Sequence, residues 1–323
     1  MRRLTFILLA ATVPLFAGAQ SAKNGLVDAN AALQAGEADK ALEVLWSLPK
    51  AQAGSAEAHN LRCRVFFALE QWDAASTECE QAVNLDGQNS DHHLWLGRAL
   101  GEKADRASFV SAYTLAKRTR AEFEQAVQLN PRNAEALADL GEFYSSAPSV
   151  VGGGVPKAQA VAAQLDKIDP ARAHELRGRI AAGSRDYETA ENEFKQAIAV
   201  STHPAFQWST LASFYRRRER WNEMDWALKN TMEAVGRDKH SGVALYNGAS
   251  VLVKAKRDPD LATKMLEGYL AGPTKTEEAP AFVAHMWLAR LKAETGDTAS
   301  AQRERAAALA LANEYKPARE LKN

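Results

Sequence analysis

The sequence predicts an all-α protein, a right-handed α-solenoid of about eight helix pairs, and two observations carry that prediction. The first is an interval: units begun at Ala22, Ala56, Ser90, Ala134, Ala171, Ala205, Val243 and Phe282 succeed one another at 34, 34, 44, 37, 34, 38 and 39 residues. A period near 34 is that of a stacked helix-turn-helix repeat. The second is a recurring small side chain. The eighth residues are Ala29, Cys63, Gly97, Gly141, Gly178, Ala212, Ser250 and Ala289. Small residues at every pass mark a place where two backbones approach closely. The twentieth residue is Ala in six of the eight units, which supplies the other side of that contact.

Taken in order, the chain opens on a segment of different character. Arg2 and Arg3 precede an apolar run over residues 4–16, which ends in Ala17, Gly18 and Ala19. Those are the three parts of a secretory signal peptide, so residues 1–19 are expected to be removed and the rest to be a soluble exported, periplasmic or extracellular protein. No later stretch approaches the roughly 20 apolar residues of a membrane span. The solenoid is expected over residues 20–315, with a tail over 316–323.

The second unit holds both cysteines, Cys63 and Cys79. Export favours a disulfide. An antiparallel pair that sets Cys63 opposite Ala75 leaves Cys79 offset by about 6 Å along the axis, and with helix axes about 8–10 Å apart the two are predicted to remain buried thiols.

The third unit carries a ten-residue excess between Gly101 and Arg120. That region, about residues 104–120, contains no Gly or Pro. It spaces Phe109, Tyr113, Ala116, Phe123 and Val127 at helical intervals, so one long second helix is expected from about Ser108 to Leu129. It would protrude as a docking ridge or as a lateral brace. In the fourth unit a Gly-rich turn over residues 150–155 separates the helices, with Pro156 suited to a first helical turn. The spacing is not that of a phosphate loop, and no strand precedes it.

Several units match a known family closely. Residues 134–170 carry Leu140, Gly141, Tyr144, Ala158, Asp169 and Pro170; the next unit carries Gly178, Tyr187, Ala190, Phe194 and Ala197; the one after has Trp208, Leu211, Ala212, Tyr215 and Trp221. In these features the chain resembles the tetratricopeptide repeat proteins over nearly all of its length. In the last two units Lys292 and Arg305 stand where that family has bulky apolar residues, which suggests a polar end cap. The resemblance implies a binding scaffold without an active site. It does not name the ligand.

Composition and motifs agree with a non-catalytic reading. Lys plus Arg and Asp plus Glu both number 40, so net charge gives no sign of a nucleic-acid binder. Neither a nucleophile elbow nor a His-Glu-x-x-His helix is present. His59, His93, His174 and His285 all occupy the fourth position of their units, too far apart to share a metal, and are expected as packed, partly buried rings. No cofactor is called for.

The resemblance places the concave groove on the first helix of each unit. Its ninth residues are Asn30, Arg64, Arg98, Glu142, Arg179, Ser213, Val251 and Arg290. Asn60, Arg64, Phe67 and Arg98 form one candidate strip, with Arg179 further along. Arginine suits such a strip because its planar fork can hold a carboxylate through two hydrogen bonds. A basic run, Arg216 to Arg218 with Arg220, lies among Trp208, Tyr215, Trp221 and Trp226 and makes Arg216 and Arg217 further candidates. The same cations also favour the negative end of a helix dipole. The reading is an exported scaffold for a protein or peptide partner; the alternative is a small molecule or lipid in a pocket enclosed by the superhelix.

Overall fold

The computed structural model describes residues 16–321, so most of the expected signal segment lies outside the described residues. Eight helical hairpins follow one another: α1 (Phe16–Ala35) and α2 (Ala38–Ser47), then a single turn α3 (Lys50–Ala53), α4 (Ala56–Ala68) and α5 (Trp72–Leu85), α6 (Ser90–Arg106) and α7 (Phe109–Leu129), and α8 (Ala134–Ser146) and α9 (Val155–Leu165). The second half continues with α10 (Pro170–Gly183) and α11 (Tyr187–Val200), α12 (Pro204–Arg217) and α13 (Trp221–Arg237), α14 (Val243–Ala255) and α15 (Pro259–Ala271), α16 (Ala281–Glu294) and α17 (Thr298–Leu311), and a last turn α18 (Lys316–Arg319). Among the described residues, no helix is long and apolar enough to cross a membrane.

Local chemistry sets where these helices start. Ser55, Asn89, Asn133, Asp169, Asp186 and Asp297 each accept a backbone N–H of the first turn they precede. Such caps satisfy amides that have no intrahelical partner. The small eighth residue then does what its recurrence suggests. A Cβ on Gly97 would lie 2.5 Å from the Phe123 ring, and one on Gly178 would lie 2.8 Å from Phe194, each on the second helix of the same unit. At Gly141 the intruder is Leu176 of the following unit, at 2.3 Å.

Cys63 and Cys79 form a disulfide, contrary to the expectation of two thiols. Their Cα atoms are 5.2 Å apart. Two assumptions fail: that the axis separation is the distance between facing Cα atoms, and that Cys63 faces Ala75, a register whose axial offset of about 6 Å alone exceeds the 5.2 Å found. Each Cα lies about 2.3 Å off its axis, so facing residues of helices about 8–10 Å apart stand only about 4–5 Å from each other. The bridge ties α4 to α5 within a buried cluster that includes Ala75, Trp95 and Leu100.

The ten-residue excess lengthens both helices of the third hairpin, α6 as well as α7. Phe109 is 89% exposed and Val110 75%, so the tip stands clear of its neighbours. The Gly-rich turn packs against the same helix. Arg120 of α7 donates to the Val151 carbonyl at 3.3 Å, and Gly152, at φ 98°, has no room for a Cβ because the guanidinium would meet it at 1.8 Å. The Gly154 N–H donates to the Tyr144 carbonyl at 2.8 Å, which holds the turn in place.

The end of the stack is not a free polar cap. Helix α16 buries Phe282, Ala284, Met286 and Leu288, and one hydrophobic core runs from Ala29 and Leu33 of the first hairpin to Phe282, Tyr315 and Ala318 of the last segment. Gly36, in the first hairpin turn at φ 77°, lies so near α16 that a Cβ would stand 2.4 Å from the Ala281 nitrogen. The Asn313 N–H donates to Asp39 at 2.8 Å, and the buried Tyr315 hydroxyl donates to Glu70 at 3.2 Å. The solenoid therefore closes first unit on last. Arg305 takes part by donating to the carbonyls of Ala318 and Arg319 at 2.8 and 2.9 Å, which explains its departure from an apolar consensus.

Candidate functional site

The first helices of successive hairpins line the interior of this closed stack, and its two halves differ. In the first, Arg64 of α4 and Arg98 of α6 lie against the Trp95 ring, with guanidinium carbons 5.5 and 4.7 Å from its centroid. Phe67 packs edge-on against Trp95 and Trp72, at 5.5 and 5.2 Å. Asn60 is buried, and its Nδ2 has no hydrogen-bond partner within the protein. The structure thus brings Asn60, Arg64, Phe67 and Arg98 into one region.

Both of those arginines are already engaged. The loop between α15 and α16 crosses the interior, and Glu277 accepts from Arg64 Nε at 2.8 Å and from Nη2 at 2.6 Å. Gln34 of α1 donates to the same carboxylate at 3.0 Å, and Arg64 also donates to Asn30 at 3.1 Å. Arg98 donates to Asp139 at 2.6 Å and to Glu135 at 3.1 Å, with Glu278 at 3.9 Å. Burial raises the Asp139 carboxyl above the ordinary range, against the pull of Arg98. A cavity of about 580 Å³ remains beside them, lined by Glu57, Asp91, Glu135, Asp169, Glu277 and Glu278 against Arg64, Arg132 and Arg172.

The second half has the opposite sign. Between α8, α10, α12 and α14 lies a groove of about 590 Å³ whose charged lining is Arg179, Arg217, Arg218 and Lys254 against the single carboxylate Glu142. Glu142 accepts from Arg179 at 3.1 Å. The Arg218 guanidinium stacks 3.6 Å from the centroid of Tyr187. Phe194, Phe214 and Val251 form apolar parts of the wall. Burial, then the nearby Arg179 and Arg216, lowers the Arg217 guanidinium from its usual value. Lys254 is lowered likewise by burial and by Arg216 and Arg217. Arg216 Nε is buried without a partner in the protein.

The basic run is thereby split. Arg217 and Arg218 face the groove, with Arg216 beside it, while Arg220 leaves it to pair with Glu191 and with Glu223 at 2.7 Å. Lys254 and the aromatic wall were not singled out in the sequence as site residues, and Arg218 was named there only as part of the basic run. Lys254 holds the twelfth position of its unit, as Phe67 and Arg216 do of theirs, so the repeat register could have found it.

The histidines acquire partners. His59, His174 and His285 each pair with a carboxylate nineteen residues on, Glu78, Glu193 and Glu304, at 2.7 Å. His93 pairs with Glu122 at 2.6 Å, twenty-nine residues on, a difference equal to the third unit's excess. The pairs tie first helix to second within a hairpin. Among the described residues, no group of three or more His, Cys, Asp or Glu side chains is placed to hold a metal.

Repeat, hairpin geometry and interior define the class: an all-helical solenoid of stacked hairpins. No protein-family model and no curated protein matches the chain. Among solved structures it is similar to TTC0263, a thermophilic TPR protein of Thermus thermophilus, at 22% identity and a TM-score of 0.44, over 67% of this chain and 100% of that one. It is also similar to two crystal structures of MamA, at 20% and 19% identity and TM-scores of 0.42 and 0.40. These cover 56% and 58% of this chain and 92% and 95% of theirs.

Proposed function

We propose that the chain is a non-catalytic exported scaffold that binds an extended segment of a protein partner in the groove of α8, α10, α12 and α14. The observation that carries this reading is the groove itself: about 590 Å³, amphipathic, and built from side chains of four successive rigid hairpins. A wall preassembled by helix packing loses little freedom when a ligand arrives, so contact energy goes to affinity. Export rests on the Arg2–Arg3 and apolar pattern of the N-terminus, and the Cys63–Cys79 bridge supports an oxidising compartment.

Arg64, Arg98, Asn60 and Phe67 take a different role in this proposal. Glu277 holds Arg64, and Asp139 and Glu135 hold Arg98, so that strip is engaged within the stack and the partner site shifts to Arg179 and Arg217, with Arg216 behind them. Native mass spectrometry of the protein recovered from the periplasm tests the reading. A retained peptide or protein, lost in an Arg217→Glu variant that melts like wild type, is the expected result. A retained lipid or metabolite would instead support the pocket alternative.

A further inference from the structure

We infer that this groove selects an acidic segment, two neighbouring carboxylate side chains followed by an apolar residue, held by Arg179, Arg217, Arg218 and Lys254. The inference rests on the groove reading above and names its ligand. Its first support is the uncompensated charge: four cations line the groove against Glu142 alone. The other carboxylate within reach of Arg179 is Glu175, whose carboxyl burial raises above its ordinary value. Like charges gathered along one concave face repel, and an incoming anion relieves that repulsion.

The same interior face shows what neutralises its arginines when the partner is part of the chain. The loop before α16 reads Glu277, Glu278, Ala279, Pro280. Glu277 makes a two-point contact with Arg64, Glu278 approaches Arg98 on the next first helix, and Ala279 is buried. A tight turn with two acids at its tip, closed by the Ala279 N–H on the Thr276 carbonyl at 3.1 Å, thus bridges arginines of two successive hairpins. The groove repeats the receiving half of that arrangement, with Arg179 on α10, Arg217 on α12 and Lys254 on α14, and no loop of the described residues brings it a pair of acids. Phe194, Phe214 and Val251 take the place of the apolar surface that receives Ala279.

The test uses the full chain after export and fluorescence anisotropy with an acetylated, amidated, fluorescein-labelled Ser-Glu-Glu-Phe-Ser peptide. The Glu-Glu peptide is expected to bind, and its Gln-Gln counterpart to bind at least about tenfold more weakly, the effect of losing roughly 1.4 kcal/mol of charge-assisted contact. Arg217→Glu is expected to weaken the Glu-Glu peptide by the same factor or more. Arg303→Glu, an equal change of net charge at an exposed site on α17, is expected to leave it within about twofold. Equal affinity for the two peptides, or for wild type and Arg217→Glu, overturns the inference. So does binding only by the free-acid form, which would assign the site to a chain terminus. Selection from a random peptide library separates this from the underlying reading. Enriched neutral peptides overturn the acidic ligand and keep the groove; no enrichment removes both.

Discussion

Arg64 and Arg179 hold the ninth position of their units, on corresponding first helices, and meet opposite surroundings. Arg64 is enclosed by Glu277, Gln34, Asn30 and the Trp95 ring. Arg179 has Glu142, itself more than half exposed, and otherwise faces Arg217 across a groove. The lesson is that repeat position fixes where a side chain points but not whether it is spent. In the first half the positive charge is consumed by the fold that closes the stack; in the second it stays at the surface.

The largest effect that tests this contrast concerns the covalent brace, which only the first half possesses. The Cys63–Cys79 bridge spans a separation of 16 residues, and a loop of that size is worth about 3 kcal/mol of chain entropy in the unfolded state. Reduction, or Cys63→Ala with Cys79→Ala, is expected to lower the melting temperature by several degrees and to speed amide exchange first in α4 and α5. Peptide binding in the second-half groove should be unchanged. Loss of binding on reduction would show that the two halves are mechanically coupled.

Next comes a paired substitution. Arg64→Met leaves a largely enclosed Glu277 with Gln34 as its remaining side-chain partner, and hydrogen bonds to a charged group are worth about 1.5–3 kcal/mol. Arg217→Met removes a cation that its neighbours repel, so its stability cost is expected near zero. Urea unfolding of both variants decides the matter. Equal losses would mean that Arg217 has a structural partner and that the halves are alike.

The pattern of what the sequence revealed follows from the same physics. The hairpins, the close contacts at Gly97, Gly141 and Gly178, and the long α7 are local or nearest-neighbour features, and a 34-residue period displays them directly. The His–Glu pairs are equally periodic, and only the nineteen-residue offset needed to be sought. Closure is different. Gln34 and Glu277 are 243 residues apart and Tyr315 and Glu70 are 245 apart, so no repeat predicts them. That is why Lys292 and Arg305 read as a polar cap, and why Arg64 and Arg98 read as free for a ligand.

A smaller effect sharpens the contrast at the turns. Gly36, in the closing half, cannot accept a side chain because of Ala281. The equivalent turn before α11 carries Arg185 at φ 65°, exposed and in the left-handed region that costs an L-residue about 1 kcal/mol. Arg185→Gly should therefore raise stability by up to about that amount in thermal melts, less the entropy gained by the unfolded chain. No gain would mean that Arg185 makes a contact worth as much as its strain.

The smallest effect is a pH dependence confined to the first half. His93 meets an acceptor at each ring nitrogen, the Glu122 carboxylate at Nδ1 and the Gly87 carbonyl at Nε2, so the doubly protonated ring donates to both, and Asp86 lies near enough to add to the negative field. The Glu122 contact raises its proton affinity above the ordinary 6.5, and burial opposes this only in part. A histidine whose folded value exceeds its unfolded one adds stability in full below the unfolded value and loses it as pH rises through the folded one. The stability of wild type relative to His93→Gln, read from urea unfolding across that range, should thus decline as pH climbs past 6.5. Identical slopes for wild type and His93→Gln would place the pH response outside α6 and α7. A decline in wild type that His93→Gln abolishes would locate it where the closed half concentrates its carboxylates.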